Sequence, residues 1–341
     1  MGVVCLVVFV IWVAESSIPA STRPFPWQDA DQNTLHLKFA REFSGADDVT
    51  REPHPVLNRT LDIIAGPGDA RSAIDRLVAP YALTTDRTHR VFVTDPDAGV
   101  VHIFDFEQSQ YSVLGGRGSH IQLPKGVAAG RDGNIYVTDT GVPAIVVYDS
   151  KGKFQRYLGK VGEGESYFQA PAGIAIQDAT GHIYVCDSRR HMILLLDKKG
   201  HILSHIGKRW GGKGAGEFRY PTQIVISGEE LFVLDQGNSR LQILDLAGHF
   251  RREIKLPELG TDAGLALDDD QNIYVSDPQL SVINVFSYGG QFLYKFGRNG
   301  TKPGDFDAPS GLWVEPGKGL YVADMKNKRV QLFQIEGRQA N

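Results

Sequence analysis

A stretch rich in glycine and lysine, residues 207–213, fits the first seven positions of a phosphate-binding loop. The eighth position is Gly214, whereas such a loop needs Ser or Thr there to bind magnesium. The stretch also leads into a predicted strand, and not into a helix whose N-terminus could hold a phosphate group. The pattern therefore argues against nucleotide binding.

The histidines and cysteines do not form a catalytic or metal-binding pattern. His201 and His205 are four residues apart, which on a strand is about 13 Å and too far for a shared metal. The other histidines, His102 among them, are scattered, and we interpret them as surface residues. Cys186 lies in an apolar segment and is interpreted as a buried side chain, since a nucleophile would need an exposed thiolate and a nearby His. We predict no catalytic residue and no metal ligand.

Six aspartates each end a short apolar segment of the form (Ile/Leu/Val)-(Tyr/Phe)-Val-x-Asp. Their spacings are 44, 48, 48, 42 and 47 residues, a period typical of four-stranded propeller blades. These residues are Asp95, Asp139, Asp187, Asp235, Asp277 and Asp324. Six repeats predict six blades.

Each repeat divides into four short alternating strands separated by glycine-containing turns, and no segment has a sustained helical period. The last repeat lacks a fourth strand before the chain stops. Residues 61–66 resemble residues 292–297, the predicted outer strand before the sixth repeat. We therefore predict that this N-terminal segment joins the C-terminal blade and closes the ring, because an open array leaves strand edges exposed. Residues 36–43 also alternate and are a candidate for an extra strand at the rim.

The motifs Pro-x-Gly, Tyr-Val-x-Asp and Asn-x-Arg-(Val/Leu)-Gln resemble the NHL repeat family of six-bladed propellers. Residues 238–242 and 327–331 match best, and the resemblance covers residues 61–335. Residues 25–27, followed by residues 41–45, resemble exported bacterial members of this group. The resemblance implies an all-β, six-bladed β-propeller with four-stranded antiparallel blades. Because this fold serves lyases, lactonases, sensor domains and binders of RNA or protein, it does not decide the function.

The amidating-lyase branch of the family places metal-binding histidines in the middle of Pro-x-Gly. Here those positions hold Lys125, Ala172, Thr222 and Ser310, so this activity is not carried over.

We interpret the six aspartates as structural, because an Asp after a strand accepts hydrogen bonds from the following turn. Asp235 is expected to pair with Arg240, and Asp324 with Arg329. The alternative is a ring of carboxylates that holds a cation over the central axis.

Residues 3–14 form an apolar run of the length of a signal-peptide core, followed by small residues. The expected organisation is a signal peptide or short anchor at 1–20, an N-terminal arm at 21–60 and a propeller at 61–341. The protein is expected to be exported, and so periplasmic, extracellular or membrane-tethered. A net charge of −4 and a pI of about 6.2 argue against a nucleic-acid binder. Membrane contact is expected only through an uncleaved N-terminal segment, and the protein is expected to be a monomer.

Long loops that enter the blades are the expected binding surface, because binding residues concentrate on loops of rigid scaffolds. Aromatic residues interleaved with Arg and Lys are typical of interface anchors. The candidate binding residues are Tyr167, Arg189, Arg190, Lys208, Arg209, Trp210, Lys213, Arg219 and Tyr220. We expect a non-enzymatic module that binds a protein, peptide or glycan without a cofactor. The alternative is a metal-dependent lyase or lactonase-like hydrolase with calcium or zinc on the axis.

Overall fold

The computed structural model describes residues 36–49, 74–116, 118–159 and 168–336. In chain order the strands are β1 (His36–Phe43), β2 (Leu83–Thr85), β3 (Val91–Asp95), β4 (Val100–Asp105), β5 (Gln110–Gly115), β6 (Pro124–Ala129), β7 (Ile135–Asp139), β8 (Ala144–Tyr148), β9 (Phe154–Leu158), β10 (Pro171–Ile176), β11 (Ile183–Asp187), β12 (Met192–Leu196), β13 (Ile202–Gly207), β14 (Pro221–Ser227), β15 (Glu230–Asp235), β16 (Arg240–Asp245), β17 (Phe250–Lys255), β18 (Leu265–Leu267), β19 (Ile273–Asp277), β20 (Val282–Phe286), β21 (Phe292–Phe296), β22 (Pro309–Glu315), β23 (Gly319–Asp324) and β24 (Arg329–Glu336). Short 3-10 helices lie at Ala46–Asp48, Ser188–Arg190 and Gln236–Asn238.

These strands form six antiparallel sheets of four strands, which we number as blades 1 to 6. Blades 1 to 5 are the consecutive sets β2–β5, β6–β9, β10–β13, β14–β17 and β18–β21, and blade 6 is β22, β23, β24 and β1. The first strand of each blade contacts the first strands of both neighbouring blades, so the six inner strands surround a common axis. The prediction of an all-β, six-bladed propeller is therefore confirmed. Among the described residues, no helix is long and apolar enough to span a membrane.

The second strands are buried because their side chains alternate between two neighbouring blades. In β11, Ile183 and Val185 pack in the cluster shared with blade 2, whereas Tyr184 and Cys186 pack in the cluster shared with blade 4. Each of these four side chains is at most 1% exposed. The apolar core thus lies between the blades, which explains why both faces of this strand are apolar.

Hydroxyl groups in the second strands join neighbouring blades. Thr138 Oγ1 accepts a hydrogen bond from Gly126 N in its own blade at 2.7 Å and donates to Ala172 O in blade 3 at 2.5 Å. A Cβ atom on Gly126 would lie 2.5 Å from the same carbonyl oxygen, so a residue without a side chain is required there. The glycine of this Pro-x-Gly motif therefore allows the two inner strands to approach.

The outer position of blade 6 is occupied by β1, which pairs antiparallel with β24 from His36↔Glu336 to Phe43↔Val330. Residues 61–66, which the sequence analysis assigned to this position, lie outside the described residues. The segment that we interpreted as an extra strand at the rim therefore pairs with the last strand of the chain.

Candidate binding face

The loops that lead into the first strands share one face of the propeller with the turns that follow the second strands. This arrangement follows from the antiparallel register, in which Pro171 lies opposite Asp187 and Pro221 lies opposite Asp235. We call this surface the loop face. Long loops and all six aspartates therefore lie near the same end of the molecule.

Between blades 3 and 4, the loop face carries exposed cationic and aromatic side chains that we call the basic patch. Its members are Arg189, Lys208, Arg209, Trp210, Lys213, Arg219 and Tyr220. The turn after β11 meets the loop before β14 through His191, whose Nδ1 accepts a hydrogen bond from Tyr220 N at 3.1 Å. The His191 and Tyr220 rings meet edge to face at 4.5 Å. The structure therefore brings residues from two separate segments onto one surface.

The basic patch combines positive charge with exposed aromatic area. Residues 207–220 hold four Lys and Arg residues against one acidic residue, Glu217. A hydrogen bond from the Lys208 ammonium is the main reason that the pKa of Glu217 is lowered. The Arg209 guanidinium lies 5.7 Å from the centre of the Trp210 ring, and Trp210 is 88% exposed. Among the described residues, no acidic side chain pairs with the Lys213 ammonium or the Arg219 guanidinium. A large aromatic side chain that is this exposed, with positive charges beside it, is typical of a contact surface.

Arg240, a buried side chain of blade 4, forms hydrogen bonds with the loop of the basic patch. Its guanidinium donates hydrogen bonds to the carbonyl oxygens of Lys213, Gly214 and Glu217 at 2.9, 2.9 and 2.7 Å. It also pairs with Asp235 at 2.8 Å, and Arg240 is only 7% exposed. A buried side chain of blade 4 therefore fastens three carbonyl oxygens of this loop to the blade.

Blade 6 repeats this arrangement with Arg329, which pairs with Asp324 at 2.8 Å and with Glu42 on β1 at 2.6 Å. Both Asp–Arg pairs that the sequence predicted are present. Burial raises the pKa of Asp324, against the opposing effect of hydrogen bonds from Asp307 N, Asn327 and Arg329. The Arg329 pair also fastens β1 to the last blade.

The other aspartates bind backbone amides of the loop face. Asp139 accepts hydrogen bonds from the amides of Gln122, Leu123, Gly141 and Val142 at 2.7–3.1 Å. The carboxylates of these aspartates thus hold together the two kinds of segment that form the loop face.

Asp277 departs from this pattern. Its Oδ1 accepts hydrogen bonds from Gln279 N and Leu280 N at 3.0 Å, but no donor among the described residues reaches its buried Oδ2. The strand positions that supply Arg240 and Gln242 in blade 4 hold Val282 and Asn284 in blade 5.

The structure corrects two interpretations of individual residues. Arg190 is only 8% exposed and lies 3.7 Å from the Asp187 carboxylate, because the 3-10 turn directs it inward while Arg189 faces solvent. It is therefore not an exposed contact residue. His102 is fully buried in β4, and so it is not a surface histidine. The candidate Tyr167 lies outside the described residues.

Three side chains near the axis form a second cluster on the loop face, which we call the axial cluster. Lys125 Nζ lies 3.9 Å from the centre of the Tyr81 ring, and Tyr81 in turn forms a hydrogen bond with Asp262. These residues belong to blades 2, 1 and 5, and blade 6 contributes the fully buried Ser310 between them. Burial, followed by the charge of Asp262, raises the pKa of Tyr81 above its usual range.

The sequence analysis missed Tyr81 and Asp262, although a signal was present. Blades 2, 3 and 6 begin with Pro-x-Gly, whereas blade 1 has Pro80-Tyr81-Ala82 and blade 5 has Asp262-Ala263-Gly264. Asp262 has a φ of +69°, which no proline could adopt. The first strands of blades 1 and 5 therefore begin with residue types that differ from those of blades 2, 3 and 6.

Across the described ranges, no group of three or more His, Cys, Asp and Glu side chains is arranged to hold a metal ion.

Comparisons with known proteins agree with the observed architecture. A family model, DUF5128, described as a 6-bladed beta-propeller, matches residues 173–279. No curated protein sequence matches the chain.

Several solved structures share the architecture at low sequence identity. A streptogramin B lyase structure is 15% identical, with a TM-score of 0.57, over 76% of this chain and 94% of that one. Selenomethionine-substituted virginiamycin B lyase from Staphylococcus aureus is 13% identical, with a TM-score of 0.56, over 89% of this chain and 100% of that one. A protein of unknown function from Bacteroides thetaiotaomicron VPI-5482 is 14% identical, with a TM-score of 0.59, over 77% and 70% of the two chains. At these identities the similarities show the fold alone, a six-bladed β-propeller.

Proposed function

We propose that this protein is a non-enzymatic recognition module that binds an acidic protein or peptide through the basic patch. The observation that carries the proposal is the exposed Trp210 among Arg209, Lys213 and Arg219. Tryptophan and arginine dominate the binding energy of protein interfaces, and the positive charge selects a partner that carries carboxylates.

The hydrogen bonds from Arg240 to the loop of the basic patch support this proposal. A loop that is already held in its binding conformation loses less conformational entropy when a partner binds. Three carbonyl oxygens of the loop are fixed by one buried guanidinium, so the patch is pre-organised. The Arg240 motif is also the part of the chain that most resembles the NHL repeat, and we propose membership of that family.

We further propose that the module acts outside the cytoplasm. The support is the apolar run at residues 3–14, which lies outside the described residues. Protein or peptide recognition on an exported propeller needs no cofactor, in keeping with the expectation from the sequence.

The test measures the binding of short fluorescent peptides rich in Asp, Glu and aromatic residues by fluorescence anisotropy. We expect Trp210→Ala and the double variant Arg209→Glu with Lys213→Glu to weaken binding at least about tenfold, the range of interface hot spots. The matched control is Lys198→Glu with Lys199→Glu, which makes the same change of charge in an exposed turn on the opposite face.

Equal losses in the patch and control variants would indicate unspecific attraction and contradict the proposal. Peptides with Asn and Gln in place of Asp and Glu should not bind. Binding of a sulfated glycan in preference to every acidic peptide would also overturn the choice of partner. Unfolding midpoints of all variants, measured alongside, separate loss of binding from loss of fold.

A second candidate function is that of a metal-dependent lyase or lactonase-like hydrolase acting at the axis. The axial cluster supplies polar groups for it, because Tyr81, Lys125 and Asp262 converge where the inner strands begin, and among the described residues Asp262 is the one carboxylate that could serve as a metal ligand there. The raised pKa of Tyr81 keeps its phenol protonated at neutral pH, so Tyr81 could donate a hydrogen bond to a bound substrate but could not act as a general base. This candidate predicts stoichiometric calcium or zinc in the purified protein, reduced by Asp262→Ala, and protein without either metal would eliminate it.

A further inference from the structure

The axial cluster holds two opposite charges that do not pair with each other. The Lys125 ammonium lies 3.9 Å from the centre of the Tyr81 ring, and the Tyr81 hydroxyl group forms a hydrogen bond with Asp262. Among the described residues, no acidic side chain forms an ion pair with Lys125, and no basic side chain forms one with Asp262. An ammonium has three donors and a carboxylate about four acceptor sites, so both groups keep hydrogen-bonding capacity for a further partner.

An ion pair in blade 6 shows how opposite charges of the loop face are otherwise arranged. Lys326 Nζ lies 3.7 Å from Asp307 Oδ1, and these side chains are 65% and 39% exposed. Lys125 and Asp262 are half-buried but have no such partner. A charge that is partly withdrawn from water loses hydration, and this cost is offset only when an opposite charge is supplied. A ligand that brings both missing charges to the axial cluster would offset it.

Hydrogen bonds of the backbone hold two members of the axial cluster in place. Tyr81 N donates to Thr94 O at 2.8 Å, and Tyr81 O accepts from Gly311 N of blade 6 at 2.7 Å. Lys125 O accepts a hydrogen bond from Thr94 Oγ1 at 2.9 Å. The second strand of blade 1 thus fixes Tyr81 and Lys125 relative to each other. Groups that are already in position lose little entropy when a ligand binds.

The charges of the axial cluster select the class of ligand. One ammonium and one carboxylate give the cluster a net charge of zero. A ligand that carries only a carboxylate is attracted by Lys125 and repelled by Asp262, and a ligand that carries only an amine experiences the reverse. A ligand that carries both groups is attracted at both ends, and each contact is a charge-assisted hydrogen bond.

We propose that the axial cluster binds a small zwitterion, whose carboxylate contacts the Lys125 ammonium and whose ammonium group contacts the Asp262 carboxylate. A free amino acid is the simplest molecule with this pattern of charge. The ring of Tyr81 contacts both charged side chains and keeps them from collapsing into an ion pair. The site uses no residue of the basic patch, and so it is a second binding site on the loop face.

The test measures the binding of three free amino acids to the intact protein by isothermal titration calorimetry. Glycine, β-alanine and γ-aminobutyrate carry the two charges at increasing separation. We expect at least one of them to bind with a Kd below about 1 mM, which is within reach of a ligand of so few atoms. Acetate and methylammonium, which carry one charge each, should bind at least about tenfold more weakly, because each leaves one charge of the cluster without a partner.

Lys125→Met and Asp262→Asn should each weaken the binding of the best amino acid at least about tenfold, because each removes a charge-assisted contact. The matched controls are Lys326→Met and Asp307→Asn, which make the same substitutions in the ion pair of blade 6 and should leave binding unchanged. Unfolding midpoints of all four variants identify any loss of binding that is caused by loss of the fold.

The proposal would be overturned if none of the three amino acids bound, or if acetate bound as tightly as the best of them. Equal losses in the axial and control variants would overturn it too. Stoichiometric calcium or zinc that disappears in Asp262→Asn would make this carboxylate a metal ligand and would also contradict the proposal. Binding of acidic peptides to the basic patch should be unchanged in Lys125→Met, so failure of this proposal is distinguishable from failure of the proposed function.

Discussion

The six aspartates of the repeat look equivalent in sequence, but the structure predicts that their replacement has unequal effects. We compare Asp139→Asn with Asp277→Asn. Both residues are fully buried at the ends of second strands. The substitution keeps the size of the side chain, replaces one carboxylate oxygen by an NH₂ group and removes the charge. The comparison therefore measures what each Oδ2 atom contributes to the free energy of unfolding.

In Asp139, Oδ2 accepts a hydrogen bond from Gln122 N at 2.7 Å, and Leu123 N lies 3.0–3.1 Å from both oxygens. An NH₂ group in place of Oδ2 faces these donors and leaves Gln122 N without a partner. Loss of a charge-assisted bond together with a partly buried donor that is left without a partner costs about 2–4 kcal/mol. In Asp277 no donor among the described residues reaches Oδ2, so the substitution breaks no bond and removes a buried charge. We expect its effect to be within about 1 kcal/mol, in either direction.

Equilibrium unfolding in urea, monitored by tryptophan fluorescence and circular dichroism, measures the free energy of unfolding of each variant. With a denaturant slope of about 3 kcal/mol/M, a difference of about 2–3 kcal/mol separates the two midpoints by nearly 1 M. Equal losses of stability in the two variants would refute the reasoning, because Oδ2 of Asp277 would then be as strongly engaged as that of Asp139. A neutral Asp139→Asn variant would refute it equally.

Three further outcomes are expected. Arg329→Ala should lower the free energy of unfolding by about 3–5 kcal/mol in urea titrations, because it leaves a buried carboxylate without its cation. Glu42→Ala removes a partner that is 43% exposed and should lower the free energy of unfolding by at most about 1 kcal/mol. Similar losses in the two variants would contradict the view that the buried pair of Arg329 is the stronger one. Thr138→Val should lower the free energy of unfolding by about 1–3 kcal/mol, measured by thermal unfolding, because one amide of blade 2 and one carbonyl of blade 3 lose their hydrogen-bond partner. An unchanged unfolding midpoint would argue against that contact. Burial raises the pKa of the Cys186 thiol, so iodoacetamide should label Cys186 only in denatured protein. Rapid labelling of Cys186 in folded protein, identified by peptide mass spectrometry and so separated from Cys5, would contradict its burial.

The number of blades could be predicted because the Asp spacing reports the length of each repeat directly. The pairing of β1 with the last blade could not be predicted with the same certainty, because residues 36–43 and 61–66 both alternate. Long-range contacts decide between such segments: the ion pair between Glu42 and Arg329 joins residues 287 positions apart. No local pattern of residues encodes a contact of that separation.

The candidate site was predictable as a region but not residue by residue. Arg189 and Arg190 are adjacent and chemically identical, and their different exposure depends on the 3-10 turn that ends at His191 with a φ of +59°. His102 occupies a strand in which both faces are buried, and an isolated histidine gives no signal of that burial in the sequence. Backbone geometry and neighbouring blades determine the environment of each side chain.

The features shared by the repeats and the features that differ have separate physical roles. The repeated Asp, Gly and apolar residues hold strands and loops in place and are buried, so a partner cannot contact them. The residues that distinguish one blade from another include Trp210 in the loop before blade 4 and Asp262, which contacts Tyr81, at the axis. Because a ring of six similar blades presents similar surfaces in six directions, recognition of one partner in one orientation requires such differences. The binding chemistry of this propeller is therefore expected where the repeat is broken, and the rigidity that supports it where the repeat is kept.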